Sequence, residues 1–131
     1  MDDLYREIII DHYKNPRHKG KLSDSKFIFE DENPLCGDHI EIFIETDQNE
    51  IITEAKFDGQ GCAISMASAD LLIDSMIGKD INSIKAMTKE TILELLGIEL
   101  SPVRLKCALL SLKVAKAAAF GLKEASDEIN S

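Results

Sequence analysis

Apolar residues recur along this chain at two spacings, helical at both ends and alternating in between. From Leu4 to Tyr13, positions 4, 5, 8, 9 and 13 are apolar, which marks one face of a helix. Asn15-Pro16 predicts its end, because the residue before proline is pushed out of the α region. A polar, basic connector runs from Arg17 to Lys26, with Gly20 as a turn. Three strands are predicted next. Lys26–Glu30 is short and rich in Phe and Ile. In His39–Glu45, Ile40, Ile42 and Ile44 share one face, while His39, Glu41 and Glu45 share the other. Glu50–Asp58 alternates through Ile51, Thr53, Ala55 and Phe57. Asp47-Gln48-Asn49 supplies turn chemistry, and so short a link forces antiparallel pairing.

Beyond Cys62 the helical spacing returns through Ile64, Ala67, Leu71 or Leu72, and Met76, with Gly78 as a stop. Asp80 caps a short helix through Met87, and Thr88 caps another that ends at Gly97. Ser101-Pro102 places an N-cap before a proline at the first helical position, opening a long Ala- and Leu-rich helix to about Glu124. A frayed tail is expected over residues 126–131. The predicted fold is α+β: a small three-stranded antiparallel sheet with helices on one face, an N-terminal helix and a long C-terminal helix.

The 131 residues fit one domain, 1–131, and 44% apolar content supports a packed core. The net charge of −9 argues against nucleic acid as a partner, because phosphate binding needs clustered Lys and Arg. No run approaches the roughly 20 apolar residues that span a bilayer, and the first residues resemble neither a secretory leader nor a transit segment. Three cysteines cannot all pair within the chain, and a reducing, cytoplasmic setting suits free thiols.

Those cysteines carry the candidate chemistry. Each sits in its own frame: Asn33-Pro34-Leu35-Cys36-Gly37-Asp38, Gly59-Gln60-Gly61-Cys62-Ala63-Ile64-Ser65 and Val103-Arg104-Leu105-Lys106-Cys107-Ala108. Three thiols and the Asp38 carboxylate make a four-ligand set for a soft metal or an iron–sulfur cluster. Closing the second and third strands into a hairpin brings Cys36, Asp38 and Cys62 to one sheet edge. Cys62 also opens a helix, whose positive end favours a thiolate. Cys107 joins them if the C-terminal helix points its start toward the same edge, where Arg104 and Lys106 would favour its thiolate. Taken singly, each motif has a plainer reading. A lone Cys on an apolar helix is more often a small buried hydrophobe, and Gly-x-Gly before a helix can be a phosphate loop or a turn. No Lys follows these glycines, and three framed cysteines at predicted element boundaries favour the metal reading. His39 is open to three readings: a further ligand, a base for a cysteine nucleophile, or a solvated strand residue. His12 and His18 read as surface or helix-end residues.

At these residues the chain resembles the NifU/IscU family of iron–sulfur cluster assembly proteins. The resemblance covers nearly the whole chain: Tyr5, Asp11-His12-Tyr13-Lys14-Asn15-Pro16-Arg17 to Gly20, the Cys-Gly-Asp turn, Gly-Gln-Gly-Cys-Ala-Ile-Ser with Ala67-Ser68, and Arg-Leu-Lys-Cys-Ala-Leu-Leu. It implies that Cys36, Cys62 and Cys107 receive sulfur from a cysteine desulfurase and hold a transient [2Fe–2S]-type cluster, with Asp38 as a further ligand. It also implies iron binding, delivery to recipient apo-proteins, and zinc at the same residues. Lys106 stands where the scaffold branch has His, and is similar to the SufU branch, which binds zinc and relays persulfide sulfur. The stretch from Cys62 to Cys107 is too short for the insertion typical of that branch. Leu100-Ser101-Pro102-Val103-Arg104 keeps part of a segment that scaffold members present to an Hsp70-type chaperone.

Overall fold

The computed structural model describes residues 2–34 and 37–121. The elements in order are α1 (Asp2–Lys14), β1 (Phe27–Asn33), β2 (Asp38–Thr46), β3 (Ile52–Gln60), α2 (Ala63–Met76), α3 (Ile81–Lys85), α4 (Lys89–Leu96) and α5 (Pro102–Ala119). The strands form one antiparallel sheet in the order β1-β2-β3, and α2 and α5 pack against it and each other. This is the α+β architecture that the spacing predicts. The stretch 122–131, with the expected tail, lies outside the described residues.

Ile40, Ile42 and Ile44 of β2 are fully buried, together with Phe29 and Phe57 from the flanking strands. Leu72, Ile73 and Met76 of α2 meet them from above, with Ala108, Val114, Ala115 and Ala118 of α5. Small residues on α5 let its backbone come close to α2 and the sheet, which fixes where the start of α5 points. Local signals set the helix starts. Ser101 accepts the Arg104 N–H at 3.3 Å, and Asp80 accepts the Asn82 N–H at 2.7 Å. Thr88 stands at the α4 N-cap without a side-chain cap bond.

The boundaries of all three strands and two side-chain placements differ from the sequence pattern. Pairing with β2 carries β1 through the polar residues Asp31–Asn33, opposite Ile40, His39 and Asp38. On β3, the register shifts between Glu45 and Thr46, so Glu45 pairs with Glu54 and Thr46 with Ile52. This irregularity turns Ile52 into the core and leaves Thr53, expected on the apolar face, exposed. On α1 the buried stripe is narrow, with Ile9 in the core and the apolar Leu4 and Tyr13 exposed.

The connector is stitched on both sides. The Phe57 N–H donates to the His18 carbonyl at 3.0 Å, and the Gly20 N–H donates to the Phe57 carbonyl at 2.8 Å. On the other side, Arg17 and His18 donate backbone N–H groups to Oδ1 of Asp70, a fully buried residue in α2. Oδ2 of Asp70 pairs with His12 Nδ1, and His18 Nε2 lies 2.9 Å from Asp74 Oδ1. His12 and His18 are therefore structural partners of α2, and not free surface histidines.

Candidate metal centre

The β2–β3 hairpin builds the first half of the site. His39 pairs with Gln60, which sets Asp38, the first residue of β2, beside Gly61 and Cys62. Asp38 is fully buried; its Oδ1 accepts the Cys62 N–H at 3.0 Å, and its Oδ2 lies 4.0 Å from Cys62 Sγ. Both glycines of Gly-Gln-Gly are required by space. A Cβ on Gly61 would lie 2.4 Å from Asp38 Oδ1, and one on Gly59, at φ 139°, would lie 2.0 Å from the His39 carbonyl oxygen.

Cys62 is the N-cap of α2, with its sulfur accepting the Ser65 N–H at 3.4 Å. Its side chain is exposed and its thiol free. Cys107 lies in the second turn of α5 and is only 3% exposed. Its carbonyl accepts the hydroxyl of Ser65 at 3.1 Å, tying α5 to the start of α2. One ligand atom from each of Asp38, Cys62 and Cys107 falls within 4.8 Å of the others. Tetrahedral zinc with Zn–S of about 2.3 Å sets its sulfurs about 3.8 Å apart, so the three donors fit one ion with little movement. Cys107 is disulfide-bonded in the structure, so that fit calls on its reduced thiol. Cys36 lies outside the described residues. The described residues nearest it, Pro34 and Gly37, belong to the β1–β2 turn, where the Gly37 N–H donates to the Asn33 carbonyl at 2.9 Å.

Residues 4–127 match the family described as NifU-like N terminal domain. The chain belongs to this family. Among the relatives of this NifU-like domain is the zinc-dependent sulfurtransferase SufU of Bacillus subtilis, 42% identical, over 86% of this chain and 87% of that protein. Another is the iron–sulfur cluster assembly scaffold protein IscU of Haemophilus influenzae, 38% identical, over 87% of this chain and 91% of that one. A SUF-system protein (FiSufU) of Fervidobacterium islandicum superposes with a TM-score of 0.76 at 28% identity, covering 86% of this chain and 94% of that chain.

Other polar residues of the NifU-like domain stand apart from the cluster. His39 is on the outward face of β2, as strand alternation demands when Asp38 points inward, and its Nε2 lies 3.0 Å from Glu30 Oε2. Lys106 is exposed on α5 and lines a cavity of about 390 Å³ with Asn33, Pro34 and Lys113. Asp70 and Ser65 make the long-range bonds that tie α2 to the connector and to α5. Asp70 had a sequence signal, as one of two carboxylates in an otherwise uncharged helix. Ser65 had none beyond its place three residues after Cys62. Among the described residues, no helix is long and apolar enough to cross a membrane.

Proposed function

We propose that this NifU-like domain is an iron–sulfur cluster assembly scaffold. It accepts sulfur from a cysteine desulfurase, binds iron, and holds a [2Fe–2S]-type cluster for transfer to recipient apo-proteins in the cytoplasm. The observation that carries this reading is the meeting of Asp38, Cys62 and Cys107, from three separate elements, within 4.8 Å of one another. Cys36, two residues before Asp38, is assigned as the remaining thiolate ligand. The bond lost on delivery decides how such a protein works. A carboxylate is a harder, poorer partner for a soft centre than a thiolate, so Asp38 keeps the cargo releasable.

Sulfur transfer needs a thiolate to attack the outer sulfur of the desulfurase's cysteine persulfide. A new S–S bond forms on this chain, the donor's S–S bond breaks, and the donor cysteine leaves as a thiolate with no net redox change. In the reduced protein Cys107 is the candidate first acceptor, with Cys62 as the exposed second thiol. Because Cys107 is 3% exposed, attack there requires the donor to reach past the start of α5. Mass spectrometry after incubation with a desulfurase and its substrate should find persulfide on Cys107; sulfur on Cys62 alone would overturn the assignment. The exposed Val103 within Leu100–Arg104 is the place to test for an Hsp70-type partner.

A second reading is a zinc-dependent sulfurtransferase that relays persulfide sulfur, favoured by Lys106 and by the 42% identity to SufU. Asp38, Cys62 and Cys107 would hold zinc with Cys36, and zinc would orient the thiolates and keep idle ones quiet. Anaerobic reconstitution with iron and sulfide separates the two readings when paired with metal analysis of the purified protein. A stable visible chromophore supports the scaffold. One tightly held zinc with sulfur acceptance and no chromophore supports the transferase.

A further inference from the structure

We infer that Ser65 is a positioning residue that locks Cys62 and Cys107 into one metal centre, and this inference rests on the reading that both cysteines hold the same ion or cluster. Ser65 is fully buried at the start of α2 and makes two bonds that point in different directions. Its backbone N–H donates to Cys62 Sγ at 3.4 Å. Its hydroxyl donates to the carbonyl of Cys107 at 3.1 Å. One residue therefore touches both cysteines, which lie 45 positions apart and on different helices.

The two bonds do different work. The N–H bond survives any substitution except proline, and it steadies the sulfur whether or not a metal is present. The hydroxyl bond depends on the side chain, and it holds the second turn of α5 against the first turn of α2. The carbonyl it reaches lies on the same residue as the ligand sulfur, so a slide of α5 along α2 would stretch this bond and carry Cys107 Sγ away from Cys62 Sγ. Without the hydroxyl, small side chains on both helices leave the contact easier to shift, and the metal must then pay for ordering it.

Ser68 provides the control. It is one turn further along α2 and 1% exposed, but its hydroxyl donates to the Ile64 carbonyl of its own helix at 2.6 Å. Ser65→Ala and Ser68→Ala each delete one buried hydroxyl from α2, and only the first deletes a tie to a ligand residue. The experiment is competition of reduced protein with a zinc chelator, alongside the thiolate-to-metal absorption band of the cobalt(II)-loaded protein, run well below the melting midpoints. Ser65→Ala should hold zinc about ten-fold more weakly than wild type and shift the cobalt band, in line with the loss of other groups that orient metal ligands. Ser68→Ala should stay within about two-fold of wild type, near the experimental floor, because it orients no ligand. Equal zinc affinity and identical cobalt bands for the two variants would overturn the role of Ser65. A wild-type protein that takes up neither metal would overturn the site itself.

Discussion

A carboxylate with no exposed surface is costly unless a donor or a cation offsets its charge. Asp38 has the Cys62 N–H as one such donor, with the Cys62 thiol beside its second oxygen. A metal ion among Asp38, Cys62 and Cys107 would complete that compensation, which ties the burial of this residue to its proposed role. As the weakest of the proposed ligands, Asp38 should shorten the life of a bound cluster. Asp38→Ala is expected to lengthen the visible-absorbance lifetime of a reconstituted cluster; a shorter lifetime would mean that the carboxylate holds the cluster rather than loosens it. Gly61 acts on the same atom from behind. In Gly61→Ala the new methyl meets Asp38 Oδ1 at 2.4 Å, so the carboxylate or the strand end must move. Overpacking of this kind costs about 1–3 kcal/mol, and metal analysis should show reduced zinc uptake alongside a lower melting temperature.

At the scale of elements, the connector is held by the buried Asp70 on one side and by β3 on the other. Asp70→Ala would leave the Arg17 and His18 N–H groups and the His12 ring without their acceptor. Losing a buried, multiply bonded carboxylate costs about 2–4 kcal/mol. Denaturant unfolding should register that loss, and limited proteolysis should cut first within residues 17–26. Asp70→Asn keeps the Oδ1 acceptor for the two backbone bonds and should lose less. A surface pair reinforces the same junction: the Arg17 guanidinium holds the Asp11 carboxyl below its ordinary range. A carboxyl lowered in the folded state adds stability above its unfolded value and loses it as pH falls through the folded one. The difference in stability between wild type and Arg17→Ala should therefore be present at neutral pH and vanish in strong acid. Both side chains are nearly half exposed, so the difference should be small and shrink with salt.

For the whole molecule, the proposed site joins the β2–β3 hairpin, α2 and α5, so metal binding there would be coupled to folding. An ion that binds only the folded chain stabilises it by about 2.7 kcal/mol at one hundred times its dissociation constant. For a domain of this size that raises the melting temperature by about 10 °C. Calorimetry of reduced protein, with and without zinc, checks this directly. The rise should disappear in Cys62→Ser, because that variant removes a ligand and leaves the α5 packing in place.

The helix caps at Asp80 and Ser101, the inward face of β2 and the juxtaposition of Asp38 with Cys62 were all legible in the sequence. Each depends on residues a few positions apart or on a single hairpin closure, where period and turn chemistry leave few alternatives. The slip that buries Ile52 instead of Thr53 was not, because a register irregularity is set by the partner strand. Nor was the His12–Asp70 pair, whose members are 58 positions apart. The three cysteine frames and the hairpin edge on which Asp38 and Cys62 meet follow from the sequence by itself. The tertiary structure alone decided that α5 brings Cys107 to that edge and that Ser65 reaches it across 42 positions, because only close packing of α5 on α2 and the sheet determines which turn of one helix faces which turn of the other.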